Sequence, residues 1–138
     1  MTNEDYVSFE TAKLLKEKGF GGECFSMYLT PKPHSGMGDP NEAKIAPHGR
    51  DSHYYDGYLY QCEAPTLQMA MKWLREVHHK FICIDEHYYV IDKISHIADG
   101  FSYSFDIKHI NSIYKQDGFT SYEQACEAAI KYCLENLI

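Results

Sequence analysis

The stretch Ala64-Pro65-Thr66-Leu67 through His79 constrains this chain most, because it reads as a helix with one apolar face. Leu67, Ala70, Met71, Leu74, Val77 and His78 recur at steps of three and four, which gathers them on one side of a 3.6-residue turn. Pro65 suits the first turn, where its missing N–H would have no partner, and Thr66 can cap or support that turn. Lys72, Arg75, Glu76 and His79 face water, their stems covering apolar neighbours. Met69 and Trp73 widen the stripe along one flank, so it calls for a second cover. The long loop of the same chain is the economical cover, and a homodimer contact is the other.

A chain of 138 residues with 44% apolar content buries one real core and is read as a single α+β domain spanning 1–138. Twenty acidic against 13 basic side chains give a net charge of −7. No broad positive field therefore draws the chain to nucleic-acid phosphates or anionic lipid. The polar start and the lack of a long apolar run point to a cytoplasmic protein with no membrane association. Five cysteines form an odd set without a C-x-x-C pair, which fits reduced thiols rather than a disulfide framework or zinc knuckle.

Ser8 is the expected N-cap of a first helix with Phe9, Ala12 and Leu15 inward, and Gly19 is its stop, with Phe20 returning to Leu15. Cys24–Thr30 alternates as a strand, with Phe25, Met27 and Leu29 on one side and Tyr58–Cys62 as its partner. Between them the stretch 31–56 holds four of the five prolines and reads as a long irregular loop. Phe81–Ile84, Tyr88–Ile97 and Phe101–Ile107 then read as a meander, with Ala98-Asp99-Gly100 as a turn. Gln116-Asp117-Gly118 is a further turn, and Thr120 or Ser121 opens a last helix whose stripe is Tyr122, Ala125, Cys126, Ala129, Cys133 and Leu137. The expected order is αββαβββα: one antiparallel sheet of about five strands packed against three helices in two layers.

Three segments also carry a resemblance. Tyr6-Val7-Ser8-Phe9-Glu10 on to Gly19-Phe20, then Ala64-Pro65-Thr66 with Lys72-Trp73-Leu74-Arg75-Glu76-Val77-His78, then Tyr122-Glu123-Gln124-Ala125, resemble a family of small uncharacterised proteins from Bacteroides and their phages or prophages. Gln124 and Cys126 depart from that family's usual ending while preserving the helix. The resemblance implies a bacterial or phage cytoplasmic setting and carries no activity, cofactor or catalytic residue.

Three sets of residues could carry chemistry. His34, His48 and His53, with Asp51 or Asp56, are candidate metal ligands in the long loop, although their spacing matches no helix-borne ligand motif. His78, Asp85, His87 and His96 could pair a base with an orienter, while Cys83 lies in an apolar run where burial should keep it inert. Twelve tyrosines, among them Tyr54, Tyr55, Tyr58 and Tyr60, offer broad amphipathic contact area and are also good strand residues. No phosphate-binding loop or dinucleotide fingerprint occurs, and no cofactor is implied. The leading expectation is a non-enzymatic phage-type or prophage-type accessory or protein-interaction module. Its contact residues would be Met69, Trp73, Tyr54, Tyr55, Tyr58 and Tyr60, and its partner an unidentified protein or a second copy. The alternative is a small metal-dependent hydrolase using His34, His48, His53 and Asp51.

Overall fold

The computed structural model describes residues 5–49, 55–91, 94–105 and 114–138, with side chains apart from those of 86–99 and 102–115. It is α+β, and its contacts gather into two compact units, Met1–Thr66 and Leu67–Ile138. Instead of one five-stranded sheet, the described residues form two three-stranded antiparallel sheets.

In the first unit, helix α1 (Phe9–Glu17) begins at Ser8, whose side chain accepts from the Thr11 amide. It stops as expected: Gly19 has φ 93°, its amide bonds to Lys16 O, and Phe20 N bonds to Leu15 O at 2.9 Å. These two bonds satisfy carbonyls that the helix end would otherwise leave open. Thr11, Ala12 and Leu15 are its buried side. Strands β1 (Ser26–Pro31), β2 (Lys44–Pro47) and β3 (Tyr58–Glu63) follow, in the order β2-β1-β3.

β1 pairs with β3 as its alternation suggested, but its inward side differs from the expected one. Phe25 is 74% exposed, whereas Tyr28 is buried and sends its hydroxyl to Val7 O. The register slips between Tyr28 and Leu29, with Gln61 the extra residue on β3, and Tyr28, Leu29 and Thr30 are all buried, so both faces of β1 are covered there. β2 is a strand inside the stretch read as irregular. Pro65 lies before the next helix and not in its first turn: Pro65 O accepts from Val7 N, while Thr66, which bridges Tyr6, stands directly before that helix.

In the second unit, α2 (Leu67–His78) packs on α3 (Tyr122–Asn136), and α3 covers β4 (Ile82–Ile91), β5 (Ile94–Phe105) and β6 (Tyr114–Phe119). Leu67, Ala70, Met71 and Leu74 are buried as the period required. Val77 is 55% exposed, since ten residues after Leu67 it has rotated about 80° away from that residue. α3 buries Ala125, Cys126, Ala129, Ile130, Cys133 and Leu134, and Ser121 caps it through the Gln124 amide.

Both glycine turns of the meander are bulges instead. β4 and β5 pair His87 with Gly100 and then Tyr88 with Ile97, so Ala98 and Asp99 are extra on β5. β5 and β6 pair Phe101 with Phe119 and then Tyr103 with Gln116, which leaves extra length around Gly118. Gly100 and Gly118 have φ of 83° and 94°, conformations that a turn and a bulge both require. Asp85 and Glu86 likewise lie within β4, not at its end.

Candidate functional site

The tyrosines expected to make contacts lie on and beside β3, and the register gathers them with groups from both other strands. β1 is the middle strand: Met27 stands opposite Ala46 on one side and Glu63 on the other. Just past β2, His48 N donates to Phe25 O at 2.9 Å. The side chains of His48 and Glu63 therefore meet from the two outer strands, with imidazole Nε2 2.9 and 3.0 Å from the carboxylate oxygens. Tyr60 donates its hydroxyl to the same carboxylate at 3.0 Å.

Other bonds fix the surroundings. Tyr55 donates its hydroxyl to Pro47 O at 2.8 Å. Lys44 Nζ sits 4.1 Å from the centre of the Tyr58 ring, and Lys16 Nζ sits 5.6 Å from that of Tyr60 while donating to Gln61 O at 2.8 Å. Such cation–aromatic contacts contribute modestly where water reaches them. Phe25 is 74%, Tyr60 52% and Leu59 41% exposed, with Leu59 and Tyr60, consecutive on β3, on opposite faces of the strand.

The electrostatics of the cluster favour the neutral forms of the Tyr60 hydroxyl and the Cys24 thiol. Loss of water around the hydroxyl, then the bond to Glu63 and its negative charge, push Tyr60 up to about 12, although half of the residue is exposed. Burial and the same carboxylate push Cys24 up to about 11. A thiol so placed is a poor nucleophile at neutral pH, because the thiolate is the reactive form. The arrangement can hold a carboxylate, donate from Tyr60 and present aromatic area. It offers no activated nucleophile.

Of the metal candidates, His34 lies in an exposed turn at φ 62° and His48 is engaged by Glu63. Asp51 and His53 lie outside the described residues, as does Tyr54. Among the described residues no three histidine, cysteine or acidic side chains gather to hold an ion. Met69 and Trp73 are half-buried, and the Trp73 ring meets His78 edge-on at 4.6 Å. The side chains of His87 and His96 lie outside the description, while Asp85 is exposed. Cys83 is exposed, not buried: the apolar run containing it alternates across β4, and odd positions face outward.

Glu63 is the participant that the sequence did not single out. It stands 15 positions after His48, and only the pairing of β2 and β3 on β1 joins the two. Among the described residues, no helix is long and apolar enough to cross a membrane. Neither a family model, nor a curated protein, nor a solved structure matches this chain.

Proposed function

We propose that this chain is a non-enzymatic protein-interaction module of a phage or prophage accessory kind, working in the bacterial or phage cytoplasmic setting that the family resemblance implies. The observation that carries the reading is the exposure of two large aromatic side chains, Phe25 and Tyr60, on the first unit. Aromatic side chains of this sort are enriched at recognition surfaces, where rigid rings bury area at little entropic cost. The Tyr60 hydroxyl and the Cys24 thiol are favoured in their neutral forms, which suits contact better than covalent chemistry. The partner is a protein still to be identified, with a second copy of the chain as the simplest case.

The test uses the full chain and its F25S/Y60S double variant as baits in extract from the host cell, alongside sedimentation for self-association. The reading expects one discrete protein, or a dimer, with the parent chain and its loss with the variant. Identical capture and identical sedimentation for both would remove the reading. Hydrolysis by a metal centre gains no support from the described residues, where His48 is already paired.

A further inference from the structure

We propose that the outer edge of β4 pairs with β4 of a second copy of this chain, joining two three-stranded sheets into one antiparallel sheet of six strands. An outer strand presents a row of unpaired backbone N–H and C=O groups, and proteins blunt such edges with short strands, bulges, proline or lysine. Three of the four outer strands here are blunted. β2 has four residues and exposes Lys44 and Pro47. β3 carries the extra residue Gln61, whose carbonyl accepts from Lys16 Nζ at 2.8 Å. β6 has six residues, includes Lys115, and holds the extra length around Gly118.

β4 is built the other way. It runs for ten residues as Ile82-Cys83-Ile84-Asp85-Glu86-His87-Tyr88-Tyr89-Val90-Ile91, without lysine, proline or glycine and rich in residues that favour strands. Where its register with β5 shifts, the extra residues Ala98 and Asp99 belong to β5, so β4 itself carries no bulge. Among the described residues its strand partner is β5 alone, and no backbone hydrogen bond from outside its sheet reaches it. A regular edge of this length is a template for another strand.

The order of residues along β4 selects a second copy, in one register. A two-fold axis through an antiparallel pair sets one residue opposite its own copy and the flanking residues opposite each other in reverse order. The two centres that use most of β4 are Glu86 and His87. Centring on Glu86 opposes two carboxylates, which is unfavourable at direct cross-strand positions. Centring on His87 sets Glu86 opposite Tyr88, Asp85 opposite Tyr89, Ile84 opposite Val90 and Cys83 opposite Ile91. Each acid then stands opposite a tyrosine, and apolar positions oppose each other beyond them. Residues 83–91 of both copies are paired, and the edge is self-complementary as a closed dimer requires.

This edge lies on the second unit, so the pairing does not depend on Phe25 and Tyr60 of the first. The test is sedimentation of the full chain, of F25S/Y60S and of two cysteine variants, H87C and Y89C, with glutathione disulfide then added to the cysteine variants and the parent chain. Directly opposed residues of an antiparallel pair lie about 4.5–5.5 Å apart between Cα atoms, within the span of a disulfide. Position 89, set opposite position 85 of the second copy, lies roughly 13 Å along the strand from its own twin. The parent chain and F25S/Y60S should both sediment as dimers, and H87C should become a disulfide-linked dimer while Y89C and the parent chain do not. A monomeric parent chain, or no more linkage in H87C than in Y89C, overturns the pairing. Loss of the dimer in F25S/Y60S also overturns it, and would support the first-unit surface instead, so the two readings fail on different results.

Discussion

Replacing Gly100 by alanine sets two physical costs apart, because Gly118 provides a matched control on the neighbouring strand. Both glycines have positive φ, 83° and 94°. Alanine at either must adopt a left-handed backbone, which costs about 1–2 kcal/mol. The loss of unfolded-chain freedom is the same for both and cancels in the comparison. The surroundings differ. A methyl group at Gly118 meets nothing within 4 Å, whereas at Gly100 it lands on the carbonyl oxygen of Phe119 and lies 3.2 Å from the carbonyl carbon. That obstacle is backbone paired through Phe101, so it cannot swing aside without opening the ladder. Overpacking of about 1–3 kcal/mol and a weakened ladder bond of about 1 kcal/mol add to the conformational cost. Gly100→Ala should therefore destabilise the second unit by roughly 3–6 kcal/mol and Gly118→Ala by about 1–2 kcal/mol. Urea unfolding followed by Trp73, which lies in that unit, measures both values. If the two variants agree within about 0.5 kcal/mol, the close approach of Phe119 is not a structural constraint and the reasoning fails.

Tyr28→Phe removes the buried donor to Val7 O and should lower stability by about 1–3 kcal/mol in a denaturant titration; no change would mean that water replaces the hydroxyl. Ser121→Ala removes the cap of α3 and should cost about 1 kcal/mol, with Ser121→Asp largely restoring it. Alkaline pH should also weaken the fold. Burial pushes Cys126 and Cys133 from 9.0 up to about 11, and Tyr60 rises from 10.0 to about 12. Raised values favour the neutral folded forms, so their stabilisation is complete below about pH 9 and lost as pH climbs through 11–12. The urea midpoint should fall over that interval, and a C126A/C133A variant should lose the part between pH 9 and 11.

Features decided within a few residues were legible in the sequence. Ser8, Gly19 and Ser121 mark helix ends through bonds to their immediate neighbours, and the three-and-four spacing of Leu67, Ala70, Met71 and Leu74 named a buried face. Features decided by pairing partners were not. Lys44-Ile45-Ala46-Pro47 is too short to show a period, and it is a strand only because β1 lies beside it. Gly100 and Gly118 announce positive φ, but the same signal serves a turn and a bulge, and only register separates them. The site follows the same division. Tyr58 and Tyr60 were visible as an aromatic strand, while the meeting of His48 with Glu63 depends on two strands finding opposite sides of a third.

The distribution of sulfur gives the protein a set of internal reporters. Cys83 is open to solvent in the second unit, Cys24 is half-covered in the first, and Cys62, Cys126 and Cys133 are sealed. A thiol reagent should therefore modify Cys83 at once and wait on opening events for the sealed three. Cys62 labels at the rate at which the first unit opens, and Cys126 with Cys133 at the rate for the second. Mass spectrometry of partly labelled chains can then time the two openings in one sample without any introduced probe.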